Sequence, residues 1–143
     1  MRGWAMADPE SVVREFCAAW GEGKIEKPDP DRIAEFFAED GEWEMWVPGQ
    51  KVSGREAIRA EVRRQIEFST YMECGIEKLL VSGSTVMTQR TDHFMMRGVR
   101  VEHALVAVYE LDGEGKIRSW REYFDTADLG RQLGMEPEDV IAG

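Results

Sequence analysis

Cysteine and histidine are scarce in this chain, with two of each in 143 residues. Cys17 and Cys74 stand far apart with no Cys-x-x-Cys spacing, which speaks against a disulfide framework or a paired-thiol redox motif. Cys17 falls on the apolar stripe of a predicted helix, where a buried free thiol is expected. That usage points to a reduced, cytoplasmic setting. His93 and His103 have no second ligand at metal-binding distance in sequence, so no metal site is expected. No apolar run approaches the length of a bilayer span. Residues 1–7 carry one arginine and no hydrophobic stretch, so they read as a flexible extension rather than a signal peptide. Positive charge is also short: 18 basic against 28 acidic side chains, for a net charge of −10. Such a surface repels phosphate backbones and anionic lipids, so neither nucleic acid nor membrane is an expected partner. The arginines between Arg55 and Arg64 alternate with Glu56 and Glu61, as on a solvated helix face. There is no Gly-x-Ser-x-Gly elbow, phosphate-binding loop or dinucleotide fingerprint. Internal repeats, low-complexity tracts and domain linkers are missing too.

What remains is a globular composition, 43% hydrophobic, in one domain spanning 1–143. Asp8-Pro9 signals a helix start, and Val12, Val13, Phe16, Cys17 and Trp20 recur at helical spacing until Gly21 and Gly23. Pro28-Asp29-Pro30 forms a stiff link, with Asp29 or Asp31 capping a second helix whose buried stripe is Ile33, Phe36 and Phe37. Asp40-Gly41 breaks it. Residues 42–47 read as a short aromatic strand closed by Pro48-Gly49. Ser53 with Glu56 three residues on predicts a capping box for a third helix. Ala57, Ile58, Val62, Ile66 and Phe68 would form its packing face, and it would end near Met72.

Beyond that point the hydrophobic period changes from 3.6 to two. Strands are predicted over 76–81, 85–96, 100–111 and 116–124, separated by Ser82-Gly83-Ser84, Arg97-Gly98 and Asp112-Gly113-Glu114-Gly115. A short helix over 127–133 follows. Helices first and an antiparallel meander after imply an α+β fold, with the sheet wrapped over the long helices around a conical pocket. Alternation along a strand places Arg90 and Asp92 on one face with Val86, Phe94 and Met96, and it places Glu122 between Trp120 and Phe124. If the two faces meet, a guanidinium and two carboxyls line an otherwise greasy pocket. One carboxyl can give a proton while the other takes one. The alternative for Arg90 and Asp92 is a surface ion pair.

The order of elements resembles the nuclear-transport-factor-2-like cone-shaped fold, also called SnoaL-like. Within it, the chain is most similar to the limonene-1,2-epoxide hydrolase family. Ala38-Glu39-Asp40, Gly54-Arg55-Glu56-Ala57-Ile58 and Gly115-Lys116-Ile117 carry the fold. Arg90-Thr91-Asp92 and Trp120-Arg121-Glu122-Tyr123-Phe124-Asp125 carry the chemistry. The resemblance implies N-terminal helices on a strongly curved, mixed, mostly antiparallel sheet. It implies Asp92 as the acid that protonates an epoxide oxygen, Glu122 as the base that deprotonates water, and Arg90 as the bridge between them. No metal, cofactor or covalent intermediate is implied. Two departures stand out. The family's base is aspartate, one methylene shorter than Glu122. Its water-positioning tyrosine and asparagine are replaced here by Trp43 and Met45 in one register, or by Glu44 and Trp46 in the other.

The expected substrate contacts are Trp43, Glu44, Met45, Trp46, Phe94, His103, Leu105, Phe124 and Leu129. His103 reads equally well as a satisfied core histidine, and His93 reads as structural. Arg121, Tyr123 and Asp125 face away, toward a helix or a partner. The leading reading is a cofactor-independent epoxide hydrolase that converts a small hydrophobic epoxide into a vicinal diol. A ketosteroid-isomerase-like isomerase or dehydratase using the same carboxylates is the second, and a non-catalytic ligand-binding domain is the third. Val106, Val108 and Tyr123 suggest an outer sheet face covered in a homodimer.

Overall fold

The computed structural model describes residues 8–23 and 27–142, so the expected N-terminal extension lies outside the described residues. Helix α1 (Pro9–Trp20) starts where Asp8 accepts a hydrogen bond from the Ser11 N–H and Pro9 occupies the first turn. Helix α2 (Pro30–Glu35) is capped by Asp29, through the Asp31 N–H. Then come β1 (Phe37–Glu44), β2 (Lys51–Ser53), α3 (Arg55–Gln65), β3 (Ser69–Ser82), β4 (Thr85–Met96), β5 (Val99–Leu111), β6 (Ile117–Tyr123), α4 (Thr126–Leu133) and α5 (Pro137–Ala142).

All six strands form one sheet in the order β2-β1-β6-β5-β4-β3. Every pairing is antiparallel except β1 with β6, which is parallel. The expected α+β arrangement of helices on a curved, mostly antiparallel sheet is therefore the observed one. The β4–β5 turn uses Arg97 and Gly98, both at positive φ (52° and 81°), the conformation a tight two-residue hairpin needs.

The core is built from the inner face of α1 and the inner faces of β1, β4, β5 and β6. Phe16 is fully buried and meets the rings of Phe36, Phe37, Tyr109 and Trp120 edge-on at 4.9–6.1 Å. Burying such a side chain contributes on the order of 2 kcal/mol, so α1 is held by packing more than by propensity.

Several sequence expectations shift, and the strands expected over 42–47 and 76–81 both begin earlier, at Phe37 and Ser69. Phe37 is a strand residue. The chain leaves α2 after Glu35, because Phe36 C=O accepts from the Ile117 N–H (2.8 Å) and Lys116 Nζ reaches Glu35 C=O (2.7 Å). Parallel pairing with β6 outweighs the local helical pattern. The capping box does not form: Gly54 is the cap residue of α3, without a side-chain bond, and Ser53 donates instead to Glu42 across the β1–β2 pair. Helix α3 stops at Gln65, not near Met72, because β3 begins at Ser69. Ala57 is exposed, while Ile58 and Val62 carry the packing.

Candidate active site

Period-two alternation in β4 buries Val86, Thr88, Arg90, Asp92 and Phe94 in turn. Arg90 and Asp92 are 3% and 6% exposed, which excludes a surface ion pair. The guanidinium makes a two-point contact with its neighbour: Nε donates to Asp92 Oδ1 at 3.2 Å and Nη2 to Oδ2 at 2.7 Å. The same Nη2 donates to Glu122 Oε2 at 3.2 Å, and Nη1 donates to the Tyr109 hydroxyl at 2.6 Å. One buried cation thus ties β4, β5 and β6 together. Its partners are what make its burial tolerable, since an unpaired charge here would be prohibitive.

Glu122 is placed by three strands. The parallel β1–β6 register sets Trp43 beside Trp120, and the two indoles stack at 4.6 Å and 14°. From there Trp43 Nε1 donates to Glu122 Oε1 at 3.1 Å. The turn after β1 is stitched to the same residue by Val47 N–H to Glu122 C=O, at 3.1 Å. Burial pushes the Glu122 carboxyl up to about 7, against the pull of Arg90 and Trp43 and with the repulsion of Asp92.

A cavity of about 180 Å³ opens over this cluster. Its wall includes Arg90, Asp92 and Glu122 and seven of the nine expected contacts: Trp43, Met45, Trp46, Phe94, His103, Phe124 and Leu129. Glu44 is not in the wall. It sits at the end of β1 and turns to accept the Gly49 N–H at 3.1 Å. Leu105 is buried opposite Arg90 in the β4–β5 register but does not border the cavity either. Trp43 and Met45 thus both border the pocket, and of the other register only Trp46, past the end of β1, does. Met45 Sδ lies 3.3 Å from the Gln65 amide.

His103 pairs with Asp92 across β4–β5, packs edge-on against Phe124 at 4.5 Å, and is kept neutral by burial, which pulls its pKa down. His93 lies outside the cavity wall with its Nδ1 3.3 Å from Glu73. Asp125 caps α4 through the Ala127 and Asp128 N–H groups.

The cavity also uses residues that the sequence did not single out. Trp20 comes from α1, Gln65 from α3, Met72 and Cys74 from β3, and Leu133 from α4. Pattern alone does not say which positions border an empty space. Among the described residues, no group of three or more His, Cys, Asp or Glu side chains could hold a metal ion, and no helix is long and apolar enough to cross a membrane.

The profile of the SnoaL-like domain matches residues 13–120. Over 74 residues the chain is 32% identical to the epoxide hydrolase EphG of Mycobacterium tuberculosis, an overlap of 52% of this chain and 49% of that protein. The match thus spans about half the length of that curated relative. A solved epoxide hydrolase of the limonene-epoxide-hydrolase-like type from M. tuberculosis superposes with a TM-score of 0.73 at 26% identity, covering 87% of this chain and 84% of the other. SalBIII, described as an epoxide hydrolase/cyclase-like enzyme with a role in pyran ring formation in the polyether salinomycin, gives 0.70 at 27% identity over 84% and 92%.

Proposed function

Because this chain belongs to the SnoaL-like domain family, whose match takes in Arg90, Asp92 and Trp120 and ends two residues before Glu122, we propose that it is an epoxide hydrolase acting on a small hydrophobic epoxide without a cofactor. The observation that carries this reading is the single buried guanidinium touching Asp92 and Glu122 at the floor of a mostly apolar cavity. An epoxide carbon is attacked readily only when its oxygen is protonated in the same step. Asp92 is the acid toward the oxygen, Glu122 is the base toward water, and Arg90 keeps the two in register. Proton balance closes within the pair: Asp92 loses one to the alkoxide and Glu122 gains one from water. The pair resets when the proton gained by Glu122 is lost to solvent and Asp92 takes one back, while Arg90, which touches both, stays charged. Phe94, Phe124 and Leu129 supply the apolar wall for the body of the substrate.

One observation favours a second reading. The Trp43 N–H occupies Glu122 Oε1, where a bound water would otherwise donate. With a carboxyl near pH 7, that arrangement also suits moving a proton beside a carbonyl, as an isomerase does. Glu44, turned toward the Gly49 N–H, lies outside the wall and adds no third carboxylate to either reading.

Incubating the protein with apolar epoxides in oxygen-18 water tests the first reading. Singly labelled diol is expected, and Asp92→Asn and Glu122→Gln should each lower kcat by about 100-fold or more. No diol from any epoxide, together with deuterium exchange into an enone, would transfer the assignment to the isomerase.

A further inference from the structure

The chain's two cysteines, distant in sequence, come together in the fold. Cys17 on α1 and Cys74 on β3 are both free and pack in the same cluster. Gly21 joins their backbones: its N–H donates to Cys17 C=O at 3.4 Å, and its C=O accepts from the Cys74 N–H at 3.3 Å. A second cleft runs between α1 and β3, and both cysteines line it beside Arg14, Glu22 and Glu73. Cys74 also lines the substrate cavity and is the residue the two hollows share. Behind the pair, Cys17 Sγ lies 3.7 Å from the Tyr109 hydroxyl, the same hydroxyl that accepts from Arg90 at 2.6 Å. Neither hydrolysis nor isomerisation uses these thiols.

We propose that Cys17 and Cys74 form an oxidation site, closed into a disulfide by hydrogen peroxide entering the α1–β3 cleft and coupled through Tyr109 to Arg90. Cys17 sulfur attacks one peroxide oxygen, the O–O bond breaks, and a first water leaves with the thiol and solvent protons. This gives a sulfenic acid. Cys74 sulfur then attacks the Cys17 sulfur, the S–O bond breaks, and a second water leaves. Two electrons pass from the thiols to hydrogen peroxide, which becomes two waters. Cys17 is suited to attack first: the adjoining Cys74 thiol, with Arg90 and Tyr109 helping against burial, brings it down to about 7. Cys74 is pushed well above the ordinary thiol range, by Cys17 and by burial, which suits the sulfur that resolves. The disulfide takes Cys17 out of its contact with Tyr109 and so alters one of the three groups around that hydroxyl, Thr88 and Arg90 being the others.

The experiment exposes the full chain to hydrogen peroxide, alkylates it under denaturing conditions and weighs it. The expected product is a monomeric chain lighter by roughly 2 Da, unalkylated, with Cys17 and Cys74 peptides cross-linked and reversible by a dithiol. Cys74→Ser should stop at a sulfenic acid on Cys17 that dimedone traps, while Cys17→Ser should leave Cys74 reduced. Two alkylatable thiols after treatment, or links only between chains, would overturn the site. For the coupling, epoxide turnover should fall about fivefold or more on oxidation and return on reduction. Unchanged turnover in the cross-linked form would overturn that part. Because the mass readout needs no substrate, absence of turnover in every form counts against the proposed reaction and not against the thiol pair.

Discussion

Trp43 has a single polar atom, an N–H, and gives it to the carboxyl that the mechanism needs charged. Trp43→Phe keeps the stack on Trp120 and removes only the donor. The ascending limb of kcat/KM, set near 7 by Glu122, should move up by about one pH unit. A pH–rate profile measures it, and a limb that stays in place would mean the indole only fills space. The shared face of the charged cluster was readable because β4 alternates strictly, which sets Arg90, Asp92 and Phe94 on one side; spacing alone left a surface ion pair open, and burial of the face excludes it. Glu44 was not readable in the same way. Its neighbours Trp43 and Met45 point into the cavity, and only the turn over 45–49 reveals that its carboxylate serves the Gly49 N–H.

Gly75 shows what the elements demand of one another. It pairs with Thr91 in β3–β4, and a Cβ there would meet the Thr91 carbonyl oxygen at 2.6 Å. Gly75→Ala should therefore destabilise the protein by about 2 kcal/mol or more, read as a lower urea midpoint at unchanged slope. The hairpin strands β4, β5 and β6 were legible because period and turn residues agree: Arg97-Gly98 and the glycines after Asp112 sit where the ladder reverses. The start of β1 and the cap of α3 were not. In each case the local signal, a helical Phe36-Phe37 stripe or a Ser53/Glu56 box, lost to hydrogen bonds from a strand distant in sequence or just across the sheet. Single-chain patterns carry no information about those partners.

For the molecule as a whole, the buried carboxyl has a thermodynamic signature. Glu122 titrates near 4.5 when unfolded and about 7 when folded, so between those values the folded state holds more protons. Stability contributed by this group is full below about 4.5 and declines as pH rises, by at most on the order of 3 kcal/mol above pH 7. Chemical denaturation at pH 5 and pH 8 should show the wild type losing ground to Glu122→Gln over that interval, and parallel curves would refute the assignment. The outer face of the sheet exposes Leu80 (72%), Met87 (43%), Val106 (37%) and Tyr123 (40%), while Val108 beside them is covered. The homodimer expected from the sequence would use this stripe. Sedimentation should then give twice the chain mass, with Met87→Lys shifting the protein toward monomer. The one parallel pairing has a temporal corollary. Strands β3 to β6 can zip up through neighbouring hairpins, but β1 must wait for β6, which is made last of them, before the two can align. Arg90 and Asp92 are thus ready early, whereas the indole reaches its carboxyl only when the first and last strands of the chain are joined, so catalytic competence should appear later in refolding than most of the secondary structure does.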